Sequence, residues 1–400
     1  MQNTLSEISA HSFRDEAECV LQLENFIGDF SGIYLRARKM AEELVIKARA
    51  EPPRLFEALL QHYPLASKEG RALMVLCEAL PRIPDAATQQ ELIRSVANSA
   101  TWKSGRQGAI GVASNVAFGL IGRLAGMKAL NAVSPLFHKT AAAIIEKLAG
   151  GFILAESIES GIAKAKKYEE KGFLFSYDML GESARTANQA ERYSKSYSDA
   201  IKKIGAQHPT KKNWREKPGI SVKLSALYHR YELLKKDEVV EHLLPKLLAL
   251  AKEAAQHNIL LTVDAEDAAR FDLYLEIFGA AFTDSALAEY SYDGFGLALQ
   301  AYQKRAFPAI DYLLALSQKY HRTIPIRLVK GAYWDTEIKN AQMAGLKNYP
   351  VFTAKENTDI SYIATAKKIL EHTENFYPQF ATHNALTIAI VSELSVGKKI

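Results

Sequence analysis

Only two cysteines occur in the 400-residue sequence, Cys19 and Cys77, and both lie in stretches with helical periodicity. So few cysteines, without Cys-x-x-Cys spacing, argue against a disulfide framework and a zinc site, and they predict a reducing, cytoplasmic location. Blocks of like charge are also missing. The formal charge is only +5, with basic and acidic residues interspersed, so we expect no DNA partner.

Targeting and membrane signals are scarce as well. The first residues, Met1 to Glu7, lack the basic and apolar regions of a signal peptide. The most apolar stretch, Ala109 to Met127, is rich in alanine and glycine and is interrupted by Asn115 and Arg123. We therefore predict a packed helix there rather than a membrane span.

The N-terminal part of the chain has helical periodicity throughout. From about residue 15 to residue 151, apolar residues recur at three- and four-residue spacing. Ser67 is placed to cap one of these helices, with Glu69 in its first turn. Titratable residues do not cluster at ligand spacing in this part of the sequence. We therefore assign residues 1–151 to a helical arm, dimerisation and linker region, and we expect a homo-oligomer.

Residues 152–400 have a different pattern, in which short apolar runs end in polar residues and are followed by amphipathic helices. About six such units in series, without a Gly-x-Gly-x-x-Gly turn after the first run, favour a parallel barrel over a doubly wound sheet. We predict an α/β fold, a distorted (βα)8 TIM-type barrel with about six of its eight strands present, preceded by the all-helical arm. The predicted strands are Phe173–Tyr177, Ile220–Leu224, Ile259–Val263, Phe295–Leu299, Ile324–Val329 and Phe376–Ala381.

The segment from Ile324 to Asp335 is the most informative part of the sequence. It places Arg327 inside a buried strand, Lys330 at the carboxyl end of that strand and Gly331 directly after it. An arginine in a buried strand is costly unless it finds an anion or several acceptors. Arg327 is therefore either half of a buried ion pair or a ligand-binding group.

Charged and polar residues follow the other predicted strands too. The carboxyl ends of the strands form the active site of a parallel barrel. Opposite charges that converge there shift each other's pKa values and suit an anionic or zwitterionic ligand. These residues are Asp178, Glu182, Lys223, Asp264, Glu266, Gln300, Arg327, Lys330, Thr382, His383 and Asn384.

Two alternative chemistries remain open for these residues. Asp264, Glu266 and His383 carry metal-ligand atoms, but the neighbouring lysines and arginine would repel a cation, so we expect no metal. Lys223 or Lys330 could be a Schiff-base nucleophile, although an ordinary ion-paired lysine is the simpler interpretation beside acidic residues.

Other residues also have a structural alternative. Asp264 is a candidate salt-bridge partner of a strand cation, and His383 is either a core histidine or a functional one. Tyr333 and Trp334 either pack against the fold or form a wall for a flat ring.

The segment Arg327-Leu-Val-Lys-Gly-Ala-Tyr-Trp-Asp335 resembles the proline dehydrogenase domain of bacterial proline utilization A (PutA) proteins, the bifunctional flavoenzymes of proline catabolism. The resemblance covers nearly the whole chain, because further motifs follow in the order of that family. They are Glu69–Met74, Glu78–Leu80 and Arg82–Asp85 in the arm, and Ser176–Glu182, Gly219–Leu227, Val263–Glu266, Gln300–Arg305 and Tyr377–Asn384 in the barrel.

This resemblance implies a specific reaction. Members of the family bind FAD noncovalently, oxidise L-proline to Δ1-pyrroline-5-carboxylate by moving a hydride to the flavin N5, and pass the electrons to ubiquinone in the membrane. The resemblance therefore implies proline, FAD and ubiquinone as ligands. It also implies a peripheral position at the inner face of the bacterial cytoplasmic membrane. In such an enzyme the cofactor carries the redox chemistry and the protein positions it.

The resemblance also assigns roles to single residues. Lys223 would pair with the proline carboxylate, and Asp264 would organise the substrate side. Tyr333 would pack against the pyrrolidine ring, and Glu182 would pair with an arginine of the last barrel helix. Arg327 would lie near the flavin N5. The other cofactor-binding residues by resemblance are Gln300, Lys330, Gly331, Ala332, Trp334, Thr353, Lys355, Thr358, Thr382, His383 and Asn384.

Parts of the family pattern are expected outside this sequence. The last two strands and a helix with an Arg-Arg pair would follow Ile400, as would an NAD-dependent pyrroline-5-carboxylate dehydrogenase domain. No ribbon-helix-helix segment precedes the arm. We therefore interpret the sequence as the N-terminal part of a longer protein. Two other functions stay open: a catalytically incomplete flavin-binding or assembly fragment, and a transcriptional repressor, against which the missing basic recognition segment counts.

Overall fold

The computed structural model describes residues 2–52, 63–79, 83, 85–99, 153–179, 181–208 and 213–398. The chain divides into two compact units, one made of residues 1–47 and 168–400 and the other of residues 48–167. The predicted helix at residues 109–127 and the predicted domain boundary at residues 151 and 152 lie outside the described residues. Both stay predictions.

The described part of the chain contains fifteen helices besides short 3-10 turns. They are α1 (Gln2–Ala10), α2 (Glu16–Ile27), α3 (Ser31–Ala50), α4 (Lys68–Ala79), α5 (Ala86–Ser99), α6 (Ile158–Glu169), α7 (Ala187–Gly205), α8 (Leu224–Leu227), α9 (Lys236–His257), α10 (Phe271–Thr283), α11 (Ser285–Ala288), α12 (Ala306–Tyr320), α13 (Trp334–Met343), α14 (Lys355–Leu370) and α15 (Ala385–Ser395).

The sheet of the first unit has six parallel strands, hydrogen-bonded in chain order. At least one helix follows each strand, which is the repeating unit of a (βα) barrel wall. The predicted barrel-type fold is therefore confirmed, with all six strands within three residues of their expected positions. The strands are β1 (Ser176–Asp178), β2 (Gly219–Lys223), β3 (Leu261–Asp264), β4 (Phe295–Gln300), β5 (Ile324–Val329) and β6 (Phe376–Phe380).

The core of this unit lies between the sheet and the surrounding helices. Strands covered on both faces need continuous apolar runs, and β4 is buried along its whole length. Phe278 of α10 stacks on Phe295 of β4 with ring centroids 5.1 Å apart. Each such side chain contributes about 1.5–3 kcal/mol when it leaves water. Rigid strands of this kind hold the polar residues at their carboxyl ends in fixed positions.

The first helices of the chain pack on the outside of the same unit. Cys19 and Leu23 of α2 join a buried cluster with Phe352 and Ala364. Ala37 and Ala41 of α3 pack in the same way against α15. The sheet and these two N-terminal helices therefore form one compact body.

The second unit contains α4 and α5, which pack through Ala72, Leu76 and Val96. The predicted cap of α4 is confirmed, because the Ser67 hydroxyl accepts a hydrogen bond from Gly70 N at 2.9 Å. Among the helices that the structure describes, none is both long and apolar enough to cross a membrane.

Candidate active site

Three charged residues predicted from separate strands come together at the carboxyl end of the sheet. Lys223 ends β2, Asp264 ends β3, and the two residues are paired in the parallel register. Arg327 lies two strands further on, in β5, beside Ala298 of the intervening strand β4. The pleat turns all three side chains into the barrel.

Lys223 forms an ion pair with two carboxylates. Its Nζ lies 2.7 Å from Asp178 Oδ1 and 3.2 Å from Asp264 Oδ2. Burial disfavours the charged ammonium, but the carboxylates of Asp264 and Asp178 outweigh burial and raise the pKa of Lys223. Lys223 is therefore a permanent cation with two of its three N–H donors engaged. This environment does not suit a Schiff-base nucleophile, which must lose its proton.

Arg327 is held by four hydroxyl and carboxylate groups. Its two terminal nitrogens donate to Ser221 Oγ at 2.7 Å and Ser176 Oγ at 2.6 Å, and more distantly to Asp264 Oδ1 and Thr262 Oγ1, both at 3.3 Å. The acceptors come from β1, β2 and β3, so the guanidinium reaches across the barrel interior. These four acceptor oxygens fix the orientation of the guanidinium plane.

Asp264 lies between the two cations. Burial raises the pKa of the Asp264 carboxyl, and the charges of Lys223 and Arg327 oppose that rise. The predicted ion pairs of Asp264 with a strand cation are both present in the structure. Two cations and two carboxylates therefore share the barrel mouth, and their charges balance before a ligand binds.

Tyr333 and Glu182 lie on the same side of this cluster. Tyr333 is half-buried, and burial together with the Glu182 and Glu266 carboxylates raises its pKa to about 12. Its hydroxyl therefore stays protonated at neutral pH. Glu182 is exposed, and its side chain has no hydrogen bond or ion pair to the residues that the structure describes. Both residues line one pocket, together with Glu266 and Arg270.

Gln300 holds an unused acceptor inside the barrel. Its Nε2 donates to the Glu266 carbonyl at 2.9 Å, whereas its Oε1 is buried and has no partner within the described residues. The side chain is only 2% exposed. A buried acceptor without a donor costs about 1–3 kcal/mol. This oxygen is therefore available to accept a hydrogen bond from a bound group.

The turn after β5 is shaped by a glycine. Gly331 has a φ of +138°, and a side chain there would collide with the ring of Tyr302. Ala332 and Trp334 follow on the exposed side of the turn, and Trp334 is 42% exposed. The Trp334 indole donates to the Phe352 carbonyl at 2.9 Å. An indole fixed at its N–H but open on its surface is suited to contact a flat ring.

Beyond this turn, two lysines share one carboxylate. Lys330 Nζ lies 2.5 Å from Asp359 Oδ1, and Lys355 Nζ lies 2.8 Å from Asp359 Oδ2. Burial works against ionisation of Asp359, but hydrogen bonds from the two lysines lower its pKa. Lys330 also donates to Thr387 Oγ1 at 3.3 Å. The group keeps one net positive charge, which suits a phosphate-containing ligand.

The remaining predicted cofactor residues differ in their exposure and in the hydrogen bonds that they already form. Thr382 accepts from Asn384 N, and Asn384 caps α15 through Thr387 N at 3.0 Å. His383 is exposed, and Thr358 is buried. Thr353 already donates both its backbone N–H and its hydroxyl to the carboxylate of Glu16.

Comparison with known proteins places the chain in a family. The family model described as proline dehydrogenase matches residues 161–400. A second model, described as the DNA-binding domain of proline dehydrogenase, matches residues 55–155. The chain belongs to the proline dehydrogenase family.

Individual relatives agree with this assignment. The "Bifunctional protein PutA" of Salmonella typhimurium is 42% identical over 90% of this chain and 29% of its own length. The protein of the same name from Escherichia coli is 41% identical over 97% of this chain and 31% of its own length. The chain therefore spans about three tenths of these relatives.

Solved structures agree in fold. A crystal structure of a Bradyrhizobium japonicum proline utilization A mutant has a TM-score of 0.74 and 38% identity, covering 97% of this chain and 40% of that chain. A structure described as bifunctional proline utilization A has a TM-score of 0.74 and 39% identity, covering 96% of this chain and 40% of that chain. These likenesses support the distorted barrel and the proline dehydrogenase assignment together.

The residues at this candidate site fit a flavin cofactor. Gln300 Oε1 is an orphaned buried acceptor, and a flavin ring carries an N–H that such an oxygen can accept. The cationic group of Lys330 and Lys355 suits a pyrophosphate, and the exposed indole of Trp334 suits a ring. The structure thus provides an acceptor, a charge and a surface of the required kinds.

Sequence reasoning missed several partners of these residues. Ser221 and Thr262 hold Arg327, but a serine or threonine inside a strand carries no functional signal of its own. Asp359 lies one turn into α14, four residues after Lys355, and that spacing could have predicted the ion pair. Glu16 lies more than three hundred residues from its partners, so no local pattern indicates its role.

Proposed function

We propose that this chain catalyses the FAD-dependent oxidation of L-proline to Δ1-pyrroline-5-carboxylate, the first step of proline degradation to glutamate. The observation that carries the proposal is the group of Lys223, Asp264 and Arg327 at the barrel mouth, in a chain of the proline dehydrogenase family. Such a site suits a zwitterionic amino acid, because it offers both signs of charge within one pocket.

Lys223 is the residue for the substrate carboxylate. Two of its ammonium donors contact Asp178 and Asp264, and the third is free to bind a carboxylate oxygen. Asp264 keeps Lys223 and Arg327 in place and balances their charge. Tyr333, protonated and half-buried, would pack against the pyrrolidine ring and exclude water from it. Glu182 would accept a cation at the rim of the pocket.

The oxidation removes a hydride from the ring CH2 carbon next to nitrogen and a proton from the nitrogen, which is released to solvent, and a C=N bond is left. Bound FAD supplies the hydride acceptor. Arg327 would hold the N5 side of the flavin, and Gln300 Oε1 would accept from a ring N–H. Lys330, Lys355, Trp334 and His383 would contact the rest of the cofactor.

The proposal includes the route of the electrons. We infer that they pass to a membrane quinone, so that the chain works at the cytoplasmic face of the membrane. We also propose a homo-oligomer, with an NAD-dependent pyrroline-5-carboxylate dehydrogenase domain consuming the product. The relatives are named bifunctional, which supports a second activity in such proteins. The expectation of no DNA partner stays a prediction.

Product trapping tests the proposed reaction. The FAD-loaded chain is mixed with L-proline and a soluble quinone, and the product is captured with o-aminobenzaldehyde. We expect the yellow adduct with the wild type. Lys223→Met should lower kcat/KM about 100-fold or more, since the substrate carboxylate loses its cation. The matched control is Lys202→Met, because Lys202 also pairs with a carboxylate but lies exposed on α7. Absence of adduct with flavin-loaded wild type would contradict the proposal and favour an incomplete flavin-binding module.

A further inference from the structure

Helix α2 lies alongside α14, the helix that carries Lys355, Thr358 and Asp359. At the beginning of both helices, Glu16 contacts Thr353, Ala354 and Asn357. At their ends, Lys367 Nζ donates to the carbonyls of Phe26 at 2.8 Å and Ile27 at 3.0 Å. The two helices therefore run parallel, with polar contacts at each end.

The contact at the first end consists of one carboxylate and several donors. Glu16 accepts from Asn357 Nδ2 at 2.6 Å, from Thr353 Oγ1 at 2.9 Å and from Thr353 N at 3.0 Å. Ala354 N approaches to 3.5 Å. Both N–H groups directly precede α14, whose N-cap is Ala354. The beginning of a helix attracts negative charge, and Glu16 supplies that charge from outside the barrel.

The electrostatics agree with this geometry. Partial burial works to raise the pKa of Glu16, but the hydrogen bonds from Asn357 and Thr353 outweigh it and lower the pKa. Glu16 is therefore ionised at neutral pH. Its hydrogen bonds are charge-assisted and stronger than neutral ones.

The same short segment is tied to the proposed cofactor site on its other side. Phe352 N donates to the Tyr302 carbonyl at 2.8 Å, and the Phe352 carbonyl accepts from the Trp334 indole. Asp359, one helical turn after the beginning of α14, forms ion pairs with Lys330 and Lys355. The segment between Phe352 and Asp359 thus links Glu16 to the aromatic and cationic groups that we assign to FAD.

We propose that Glu16 is a positioning residue for the cofactor, a role that rests on the proposed function. Its carboxylate fixes the turn at residues 352–357, so that Trp334 and Lys355 are already in place for the flavin nucleotide. Helix α2 is then part of the cofactor site although it lies outside the sheet. Thr353 acts through Glu16, because its two donors are engaged there.

Fixing a turn before binding saves the entropy that binding would otherwise lose. Loss of the Glu16 charge should therefore weaken FAD binding without changing chemistry in the saturated enzyme. If Glu16 were purely structural, any variant that disrupts the α2–α14 contact would weaken FAD binding in proportion to its loss of stability. The two ends of this helix pair allow the roles to be separated.

The experiment compares Glu16→Gln with Lys367→Met in the full chain. Lys367→Met removes the hydrogen bonds at the far end of the same helix pair. FAD dissociation constants are measured by flavin fluorescence, and thermal unfolding is measured on each apoprotein. We expect Glu16→Gln to weaken FAD about tenfold or more and Lys367→Met to change it less than about twofold, with comparable losses of Tm. At saturating FAD, kcat and KM for proline should match the wild type in Glu16→Gln.

Further variants keep the result interpretable. Glu24→Gln removes the same charge from an exposed position of α2 and should leave the FAD dissociation constant unchanged. Thr353→Val removes a donor from the other side of the contact. As a single variant, Thr353→Val should weaken FAD binding. In the double variant with Glu16→Gln it should weaken binding little further, because the two residues act as one unit. If Glu16→Gln fails to fold, Asn357→Leu replaces it in the comparison with Lys367→Met, because Asn357 donates the shortest hydrogen bond to Glu16 and is not among the cofactor-binding residues.

Three outcomes would overturn the inference: an unchanged dissociation constant in Glu16→Gln, equal weakening in Lys367→Met, or additive effects of Glu16→Gln and Thr353→Val. Failure of the proposed function has a different signature. In that case the wild type itself would bind no FAD, or would bind FAD and form no product from L-proline. The Glu16 inference instead fails when the wild type binds FAD and the variants do not differ from it in the way described.

Discussion

Asp264 shows how much of this site depends on single residues. It lies 3.2 Å from the Lys223 ammonium and 3.3 Å from the Arg327 guanidinium. Asp178 also pairs with Lys223, but its side chain is 53% exposed. The two carboxylates therefore contact the same lysine in very different surroundings.

Removal of the buried carboxylate should be the more damaging change. We expect Asp264→Ala to lower the free energy of unfolding by about 3 kcal/mol, since it leaves two largely buried cations without their shared partner. Asp178→Ala should cost less than about 1 kcal/mol, because water screens an exposed pair. Urea unfolding of both variants measures the difference. Equal losses would show that the Asp264 pairs are not buried as described.

Gly331 offers a second test at the residue scale. A methyl group there would collide with the ring of Tyr302, whereas one at Gly345, which also has a positive φ, would meet open space. We expect Gly331→Ala to cost about 1–3 kcal/mol more than Gly345→Ala, because overpacking is added to backbone strain, and to release flavin. Thermal unfolding and retained flavin check this. A Gly331→Ala variant as stable as Gly345→Ala would contradict the close approach to Tyr302.

At the scale of elements, the strands were the most predictable part of the molecule. Runs such as Ile324–Val329 are apolar, short and followed by helices, so their type and order follow from local pattern. The convergence of Lys223, Asp264 and Arg327 followed from the same reasoning, because parallel strands end at one edge of the sheet.

Contacts between distant elements were not predictable. The hydrogen bonds that hold Arg327 depend on Ser176 and Ser221, which look like ordinary strand residues in the sequence. The pairing of α2 with α14 depends on Glu16 meeting Thr353, and no periodicity connects two positions so far apart. Tertiary packing decides such contacts, and a single sequence carries no local signal for them.

The pairing of α2 with α14 has a pH dependence of definite sign. The pKa of Glu16 is lowered from its ordinary value of 4.5, so the folded state favours the carboxylate. This contribution to stability is present above the unfolded-state pKa and is lost as the pH falls through the lower folded-state pKa. The difference in unfolding free energy between wild type and Glu16→Gln should be constant above about pH 5.5 and shrink below it. A difference that grows on acidification would contradict the assignment.

At the scale of the whole molecule, the compact unit that contains the sheet also contains the first 47 residues. The proline dehydrogenase match covers residues 161–400, and α2 and α3 pack around that region from outside it. We therefore expect these first helices to matter for the cofactor site as well as for assembly.

The visible absorption spectrum of the purified chain with FAD, recorded before and after anaerobic addition of L-proline, tests the central claim most directly. We expect flavin bands that bleach with L-proline, because in the proposed site Lys223 would bind the substrate carboxylate and Arg327 would hold the flavin. D-proline serves as the matched control and should bleach the bands far more slowly. Flavin bands that persist in L-proline, or a chain that retains no flavin, would contradict the proposed oxidation.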